Sequence, residues 1–360
     1  MSVPARSGRP RTVAWSVVVG LSGLFDLTVF ARWVNNGVTA GEDGSRILVA
    51  AHRLALHAPL YADPGFLYSP LAAVLAWPAS LLPTELALLA WLVAELAVAG
   101  LLALRLTRGR SFHVRLLAVV GVATSLPVLY DVALGNTTVM LVAAIALVLL
   151  LPDSLRAGAA LGVLGAAVPK PLLLPFVLWM AIWRRRALTG TILAAGMATV
   201  VGVAVAGAGS YAAWLVALRG GTRYAVPFAG NSGLTQMLPL LALPIMVLAS
   251  VLYLWVLARR DQLTALVWAL ALGLIVAPYV GLYGAAALLL AVPELHARAP
   301  RVTLLLAAAA PVVAPFALPL LSGVILAAAL VWPPPATATL AADKLDAGSP
   351  SCDPVLGSGT

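Results

Sequence analysis

Two charged side chains in a largely apolar sequence are the first candidates for chemistry. Asp43 lies in Gly41-Glu42-Asp43-Gly44-Ser45, and a carboxylate there could accept a proton from a hydroxyl group. Lys170 lies in Val168-Pro169-Lys170-Pro171, at a break between two short apolar runs. A lysine at such a break must either extend to the membrane surface or meet an anion, and broken helices at membrane depth usually line a cavity. Spacing alone also fits a solvated loop carboxylate at Asp43.

Three more charged side chains fall outside the basic clusters of the chain. Asp26 lies within the first apolar run, as either a rival proton acceptor or a polar packing group near the interface. Arg219 and Arg223 flank Gly220-Gly221-Thr222, in a segment that we expect to be an external loop. That loop could close over a polar head group, or it could simply be solvated.

Aromatic side chains gather near the predicted outer boundary of the membrane. Belts of Trp and Tyr are ordinary at membrane interfaces, although the same rings could stack on a sugar. Position alone does not separate these two interpretations. The residues are Tyr61, Tyr68, Trp77, Trp214, Tyr224, Tyr279 and Tyr283.

The composition indicates the class of protein that must hold these groups. Of the 360 residues, 62% are hydrophobic and 10% are charged, and the mean hydropathy is +1.02. A soluble domain carries about 25% charged residues, so this chain lacks the charge to cover a water-facing surface. We therefore expect an all-α, polytopic transmembrane helical bundle.

The apolar runs predict about twelve spans within a transmembrane domain of residues 1–334. Between the first two spans, residues 45–82 are interrupted by charged residues and prolines, and we expect amphipathic helices on the outer membrane face there. Residues 335–360 are rich in Pro, Ala, Ser, Gly and Asp and predict a flexible tail. The predicted spans are 13–34, 84–104, 115–131, 137–152, 155–168, 170–183, 188–208, 235–257, 263–279, 281–294, 302–316 and 317–332.

The basic residues predict an orientation in the cytoplasmic membrane. With the N-terminus in the cytoplasm, sixteen of the 22 Lys and Arg residues fall on the cytoplasmic side, as the positive-inside rule requires. The net charge of +9 is therefore a mark of topology and indicates no nucleic-acid partner. Twelve spans also place the C-terminus in the cytoplasm and the polar groups of interest outside.

Several kinds of site are excluded by the residue types. The single cysteine and the four histidines, none of them in metal-ligand spacing, predict no metal site. No glycine-rich phosphate loop is present, so we expect neither a nucleotide nor any other cofactor.

The polar residues also follow an order that resembles glycosyltransferase family 87, a group of the GT-C superfamily. The resemblance covers about residues 43 to 295. At His57, Ser69, Asn136 and Gly284 the family usually has Gly, Pro, Gln and Asp. The matching segments are Asp43, the run ending in Pro59-Leu60-Tyr61, Phe66-Leu67-Tyr68-Ser69-Pro70, Gly135-Asn136-Thr137-Thr138, Gly165 to Pro171, Trp183 to Arg186, Asn231-Ser232 and Ala277-Pro278-Tyr279 through Tyr283.

The resemblance implies transfer of a hexose, mannose above all, from a polyprenyl-phosphate donor to a glycolipid or polysaccharide acceptor outside the cytoplasmic membrane. Asp43 would be the catalytic base of an inverting reaction that forms an α-linkage, with Asp26 as its rival. Lys170, Arg219 and Arg223 would hold the donor phosphate in place of a metal. The implied substrate-binding residues are Tyr61, Tyr68, Asn136, Asn231, Tyr279 and Tyr283.

Two other functions account for the same outward polar groups. A transporter or flippase of a lipid-linked sugar would need them without catalysis, although transporters usually carry polar groups near the midplane and internal repeats. A non-catalytic scaffold descended from such an enzyme would also retain them. The gathering of charge on one face favours an interfacial enzyme.

Overall fold

A computed structural model of the chain describes residues 9–35, 41–63, 65–225, 233–277, 281–298 and 300–331. These residues contain no strand, which confirms the all-α prediction; four 3-10 segments lie at Leu60–Ala62, Ala79–Leu81, Pro171–Leu173 and Leu282–Ala291. The predicted tail, 335–360, lies outside the described residues. The helices are α1 (Arg9–Asn35), α2 (Glu42–Ala55), α3 (Pro70–Ala76), α4 (Thr84–Leu106), α5 (Phe112–Ala123), α6 (Leu126–Leu134), α7 (Thr138–Leu150), α8 (Leu155–Ala167), α9 (Leu174–Trp183), α10 (Arg185–Ala206), α11 (Ala208–Ala225), α12 (Leu234–Met237), α13 (Pro239–Arg259), α14 (Gln262–Val276), α15 (Val292–Arg298) and α16 (Pro300–Val331).

Long apolar helices are fewer than predicted. In the described part of the chain, four helices are long and apolar enough to cross a membrane, namely α1, α4, α10 and α13. Helices α5 and α6 meet at a bend of 52° and together form a fifth candidate span. Several other apolar helices, such as α7, α8 and α14, have only 10–17 residues. The chain is therefore a multi-pass membrane protein with four or five candidate spans, and the prediction of about twelve is not confirmed.

The end of the bundle differs from the prediction. Helix α16 runs without interruption over 32 residues, so the prediction of two spans at 302–316 and 317–332 is wrong. In apolar surroundings a continuous helix satisfies every backbone N–H and C=O group that a turn would expose, which favours continuation. The cytoplasmic position of the C-terminus was inferred from that turn and loses its basis.

The segment that carries Arg219 and Arg223 is also different from the prediction. It is the helix α11 and not a loop, and this helix contacts α10, α3 and the 3-10 turn at Leu60–Ala62. The Trp214 indole Nε1 donates a hydrogen bond of 3.0 Å to the carbonyl oxygen of Leu67.

The segment between α1 and α4, which the sequence predicts to be external and which is called the external segment below, consists of short helices. Helix α2 buries one face, formed by Ile47, Leu48, Ala50 and Ala51, against α3 and the 3-10 turn at Leu60–Ala62. Between the end of α2 and the 3-10 turn, His57 adopts the left-handed conformation at φ 54°. A glycine adopts that conformation without steric cost, which explains why the resembling family usually has one here.

The main core lies among α7, α9, α13 and α14, where large side chains are fully buried. Two of these side chains also satisfy free backbone groups between helices. The Tyr253 hydroxyl donates to the carbonyl of Pro175 at 2.7 Å, and the Trp179 indole donates to the carbonyl of Gln262 at 2.9 Å. Helix α8 lies so close to α10 that Gly158 abuts the carbonyl oxygen of Ala187.

Candidate functional site

Two glycines bring the start of α2 against the end of α6. Gly41, at φ 72°, precedes α2 and donates its backbone N–H to the carbonyl of Ala133 at 2.6 Å. Gly135, at φ 63°, ends α6 in the left-handed conformation that usually requires glycine. The two backbones are in close contact here, since a Cβ added at Gly135 would lie 3.1 Å from the Cα of Gly44. Asp43 and Asn136, the neighbours of these glycines, are thereby brought together.

Asn136 bridges Asp43 and Lys170. Its Nδ2 donates to Asp43 Oδ2 at 2.5 Å, while its Oδ1 accepts from Lys170 Nζ at 2.7 Å. Since an ammonium group can only donate, Oδ1 must face Lys170 and the amide nitrogen must face Asp43. Asn136 is 2% exposed, and its Oδ1 also accepts the backbone N–H of Thr137 at 2.7 Å. The orientation of this amide is therefore fixed.

Lys170 lies at the predicted break, between the end of α8 and the 3-10 turn Pro171–Leu173. Besides Asn136, it donates to the hydroxyl of Thr138, which is fully buried. Its Nζ lies 4.8 Å from the centre of the Tyr283 ring, at cation–π distance. We refer to Asp43, Asn136, Thr138 and Lys170 as the Asp43–Lys170 cluster.

Ser69 anchors the external segment to the end of α8. It is fully buried, and its hydroxyl donates to the carbonyls of Ala166 and Ala167 at 2.7 and 3.1 Å. The last carbonyls of a helix lack partners within the helix, and a proline could not satisfy these two. Sequence reasoning missed this role, although the departure from the family's usual proline at Ser69 was a signal of it.

Two buried acids lie behind the cluster, in α6 and α4. Asp131 is fully buried, and its two oxygens accept the backbone N–H groups of Thr138 and Val139 at 3.3 and 2.7 Å. It therefore caps α7, where a negative charge is favoured. Glu95 is also fully buried and interacts electrostatically with both Asp131 and Lys170. Neither oxygen of Glu95 has a hydrogen-bond partner in the described part of the structure.

The surroundings of Asp43 favour its neutral form more than water does. Burial raises the pKa of Asp43 above its usual value, and the charge of Glu42 acts in the same direction. The Asn136 hydrogen bond and the charges of Lys170 and Arg46 oppose this effect without cancelling it. A carboxylate with a raised pKa is a stronger base, as proton abstraction requires.

Asp26 lies away from the cluster. Its Oδ2 accepts the backbone N–H of Leu126 at 3.0 Å, at the start of α6, whereas Asn136 follows the end of α6. A helix of nine residues is about 13 Å long, so Asp26 and Asp43 are at different ends of α6. Asp26 is 4% exposed and acts as a cap for the bent pair.

The predicted tyrosines have different positions. Tyr283 faces Lys170 and stacks on Tyr130, with ring centres 6.1 Å apart. Tyr61 and Tyr68 instead pack around Phe66 in the external segment, where the Tyr61 hydroxyl donates to the carbonyl of Tyr68 at 2.8 Å.

Four predicted site residues remain, namely Arg219, Arg223, Asn231 and Tyr279. Asn231, Tyr279 and the side chain of Arg223 lie outside the described residues. Arg219 lies on the exposed side of α11, a helix that contacts the external segment through the turn Leu60–Ala62. Among the side chains that the structure describes, no group of three or more His, Cys, Asp or Glu residues is placed to hold a metal ion.

Comparison with known proteins gives one match. The family model described as glycosyltransferase family 87 matches residues 66–315, which include Asn136, Lys170 and Tyr283. Asp43 precedes the matched region. No curated protein and no solved structure matches the chain.

Proposed function

Because the chain belongs to glycosyltransferase family 87, and so is a membrane glycosyltransferase, we propose that it transfers a hexose from a polyprenyl-phosphate donor to a lipid or glycan acceptor. We further propose mannose as the sugar, an α-linked product formed with inversion, and a site at the outer face of the cytoplasmic membrane. The observation that supports this proposal best is the pairing of a carboxylate and an ammonium group on the two ends of one amide, that of Asn136.

Asp43 is the proposed catalytic base. The acceptor hydroxyl oxygen forms a bond to the anomeric carbon of the sugar, and its proton passes to the Asp43 carboxylate. The bond between that carbon and the phosphate oxygen breaks, and its electron pair remains on the released polyprenyl phosphate. Asp43 retains an exposed fraction of 22%, which leaves room for a hydroxyl group to reach it.

Lys170 is the proposed partner of the phosphate. Two of its three N–H groups are used by Asn136 and Thr138, which leaves one for a ligand. A fixed ammonium at this place would stabilise the charge that develops on the departing phosphate. Because Asn136 contacts both Lys170 and Asp43, the proposed phosphate site and the proposed base have a fixed relative position. Arg219 and Arg223, both on α11, are proposed as further cations.

Sugar contacts are proposed for the aromatic and amide groups in and around the Asp43–Lys170 cluster. Tyr283 is the best placed, since its ring already contacts Lys170. Asn136 is proposed to act mainly through Asp43 and Lys170, which occupy both ends of its amide. Tyr61 and Tyr68 would act from the external segment.

A transfer assay tests the proposal. Purified protein in lipid vesicles is incubated with radiolabelled polyprenyl-phosphate mannose and a membrane-glycolipid fraction, with protein-free vesicles as control. We expect new labelled glycolipid only with the protein. Movement of the labelled donor across vesicles without new product would indicate a transporter, and neither movement nor product would indicate a scaffold; either result contradicts the proposal.

A further inference from the structure

Arg46 contacts carboxylates from two parts of the external segment. It lies on α2, one turn after Asp43, and its Nη2 is 2.7 Å from Glu42 Oε1. Its Nη1 is 3.7 Å from Asp43 Oδ1, and its Nε is 3.9 Å from Asp63 Oδ2. The guanidinium group thus lies on the side of Asp43 that Asn136 leaves open.

The third contact connects Arg46 to a tight turn. Asp63 Oδ1 accepts the backbone N–H of Gly65 at 2.8 Å, as in a typical Asp turn. Gly65 lies directly against the guanidinium group, since a Cβ at this position would be 2.6 Å from Arg46 Cζ. Only a residue without a side chain allows the turn to approach Arg46 this closely.

We infer that Arg46 is a positioning residue for the Asp43 carboxylate, and that its guanidinium group couples this carboxylate to the turn at Asp63–Gly65. Asn136 holds one oxygen of Asp43 through a hydrogen bond, and Arg46 attracts the other through its charge. The base is therefore held between a neutral donor from α6 and a cation that the external segment keeps in place. The catalytic meaning of this arrangement rests on the proposed function, whereas the electrostatic coupling does not.

The charges around Asp43 predict the direction in which its pKa should change when each neighbour is replaced. The charged groups that face Asp43 are Lys170, Arg46 and Glu42. Loss of the Arg46 charge removes an attraction for the anion, so the pKa of Asp43 should rise further. Loss of the Glu42 charge removes a repulsion, so that pKa should fall. Asp63 acts on Asp43 through Arg46.

Carbodiimide labelling measures this coupling without any assay of transfer. The reagent activates a protonated carboxylic acid, so labelling of Asp43 falls as pH rises through its pKa. We expect the midpoint of labelling, measured by mass spectrometry on the protein in vesicles, to move to higher pH in Arg46→Gln and to lower pH in Glu42→Gln. Arg32→Gln removes an exposed arginine at the end of α1 and should leave the midpoint unchanged.

Gly65→Ala tests the connection to the turn with Arg46 still present. The added methyl group must displace the flexible end of Arg46, which is a small structural change, and should move the midpoint in the same direction as Arg46→Gln. Arg46→Lys keeps the charge and should restore the midpoint toward that of the unmodified chain. An unchanged midpoint in Arg46→Gln, or an equal shift in Arg32→Gln, would overturn the electrostatic role. An unchanged midpoint in Gly65→Ala would overturn the coupling to the turn.

Transfer kinetics then separate this inference from the proposed function. A positioning role predicts that Arg46→Gln lowers kcat by about tenfold with the donor KM unchanged, because the base is misplaced while the donor site is intact. The acid limb of the pH profile should move with the labelling midpoint. Shifted labelling in a chain that transfers no sugar refutes the proposed function and leaves the coupling intact. Active transfer with no labelling shift refutes the coupling alone.

Discussion

Two aspartates, Asp261 and Asp43, both lie near an arginine but differ in how completely their oxygens are satisfied. Asp261 precedes α14 and accepts four hydrogen bonds, from the backbone N–H groups of Leu263 and Thr264, the Thr264 hydroxyl and Arg298, at 3.1, 3.1, 2.6 and 2.8 Å. Although partial burial raises its pKa, the hydrogen bonds from Arg298 and Thr264 and the charge of Arg298 lower the pKa of Asp261 to about 2. This carboxylate is a helix cap and a poor base.

Asp43 is only partly satisfied. In the described residues it accepts one side-chain hydrogen bond, from the neutral amide of Asn136, and Arg46 stays at 3.7 Å. Its pKa is raised where that of Asp261 is lowered. The difference teaches that an arginine neighbour does not by itself identify a functional carboxylate. The number of donors on its oxygens separates a structural acid from a candidate base.

The largest effect should come from Asp43→Asn. If Asp43 is the base, its amide replacement cannot accept the proton, and transfer should fall by about 10²- to 10⁴-fold. The measurement is the initial rate of labelled glycolipid formation at equal protein amounts. Asp26→Asn makes the same substitution in a carboxylate that caps α6 and should stay within about twofold. The base assignment fails if Asp26→Asn is the more damaging of the two changes.

The next largest effect should come from Lys170→Met. Loss of the ammonium group should lower kcat/KM for the donor by about 10- to 100-fold, because the phosphate loses a charge-assisted partner. A donor titration measures this. Arg156→Met removes an exposed cation from the other end of α8 and serves as the matched control. Equal donor curves for Lys170→Met and the unmodified chain would exclude a phosphate role.

Asp261→Asn should instead affect stability. The change removes the ion pair between Asp261 and Arg298, at a cost of about 1 kcal/mol because the Asp261 side chain is 40% exposed. Thermal unfolding in detergent should show a lower Tm, while transfer per folded molecule stays the same. Asp43→Asn should instead lose transfer activity without a lower Tm. A loss of specific activity in Asp261→Asn at unchanged Tm would break the distinction between the two aspartates.

The sequence predicted the helices better than their ends. Apolar runs identify helices such as α1 and α4 because burial in lipid demands them. About 20 apolar residues are enough to cross a membrane once, so the longer run 302–332 was predicted to form two spans. The structure instead has one continuous helix there, α16. Helix α16 contacts α1 and α14, and such contacts cannot be predicted from the apolar run itself.

The sequence identified residues of the site more readily than it identified which of them contact one another. Asp43, Asn136 and Lys170 were all candidates, but no sequence spacing pairs residues 93 or 34 positions apart. Gly41 and Gly135 create the contact, and their left-handed conformations became meaningful only with the structure. Arg46 was missed as a site residue because nothing in the sequence distinguished it from the other arginines predicted to be external.

The smallest effect concerns the pH dependence of stability at Asp261. Its pKa is about 2 in the folded chain and ordinarily 3.8, so its contribution is present above about pH 4 and is lost as pH falls toward 2. With a side chain that is 40% exposed, solvent screening limits this contribution to about 1 kcal/mol. The stability difference between the unmodified chain and Asp261→Asn, measured by thermal unfolding, should therefore narrow as the pH falls from about 5 to about 2.

Asp43 should contribute with the opposite sign in that same experiment. Because its folded pKa is raised, ionised Asp43 costs stability at neutral pH, and protonation relieves this cost as pH falls through that pKa. Asp43→Asn should therefore be at least as stable as the unmodified chain at pH 7, with the advantage vanishing in acid. Stability differences that change in the same direction for both variants would show that the two carboxylates are held alike, and the site would lose its candidate base.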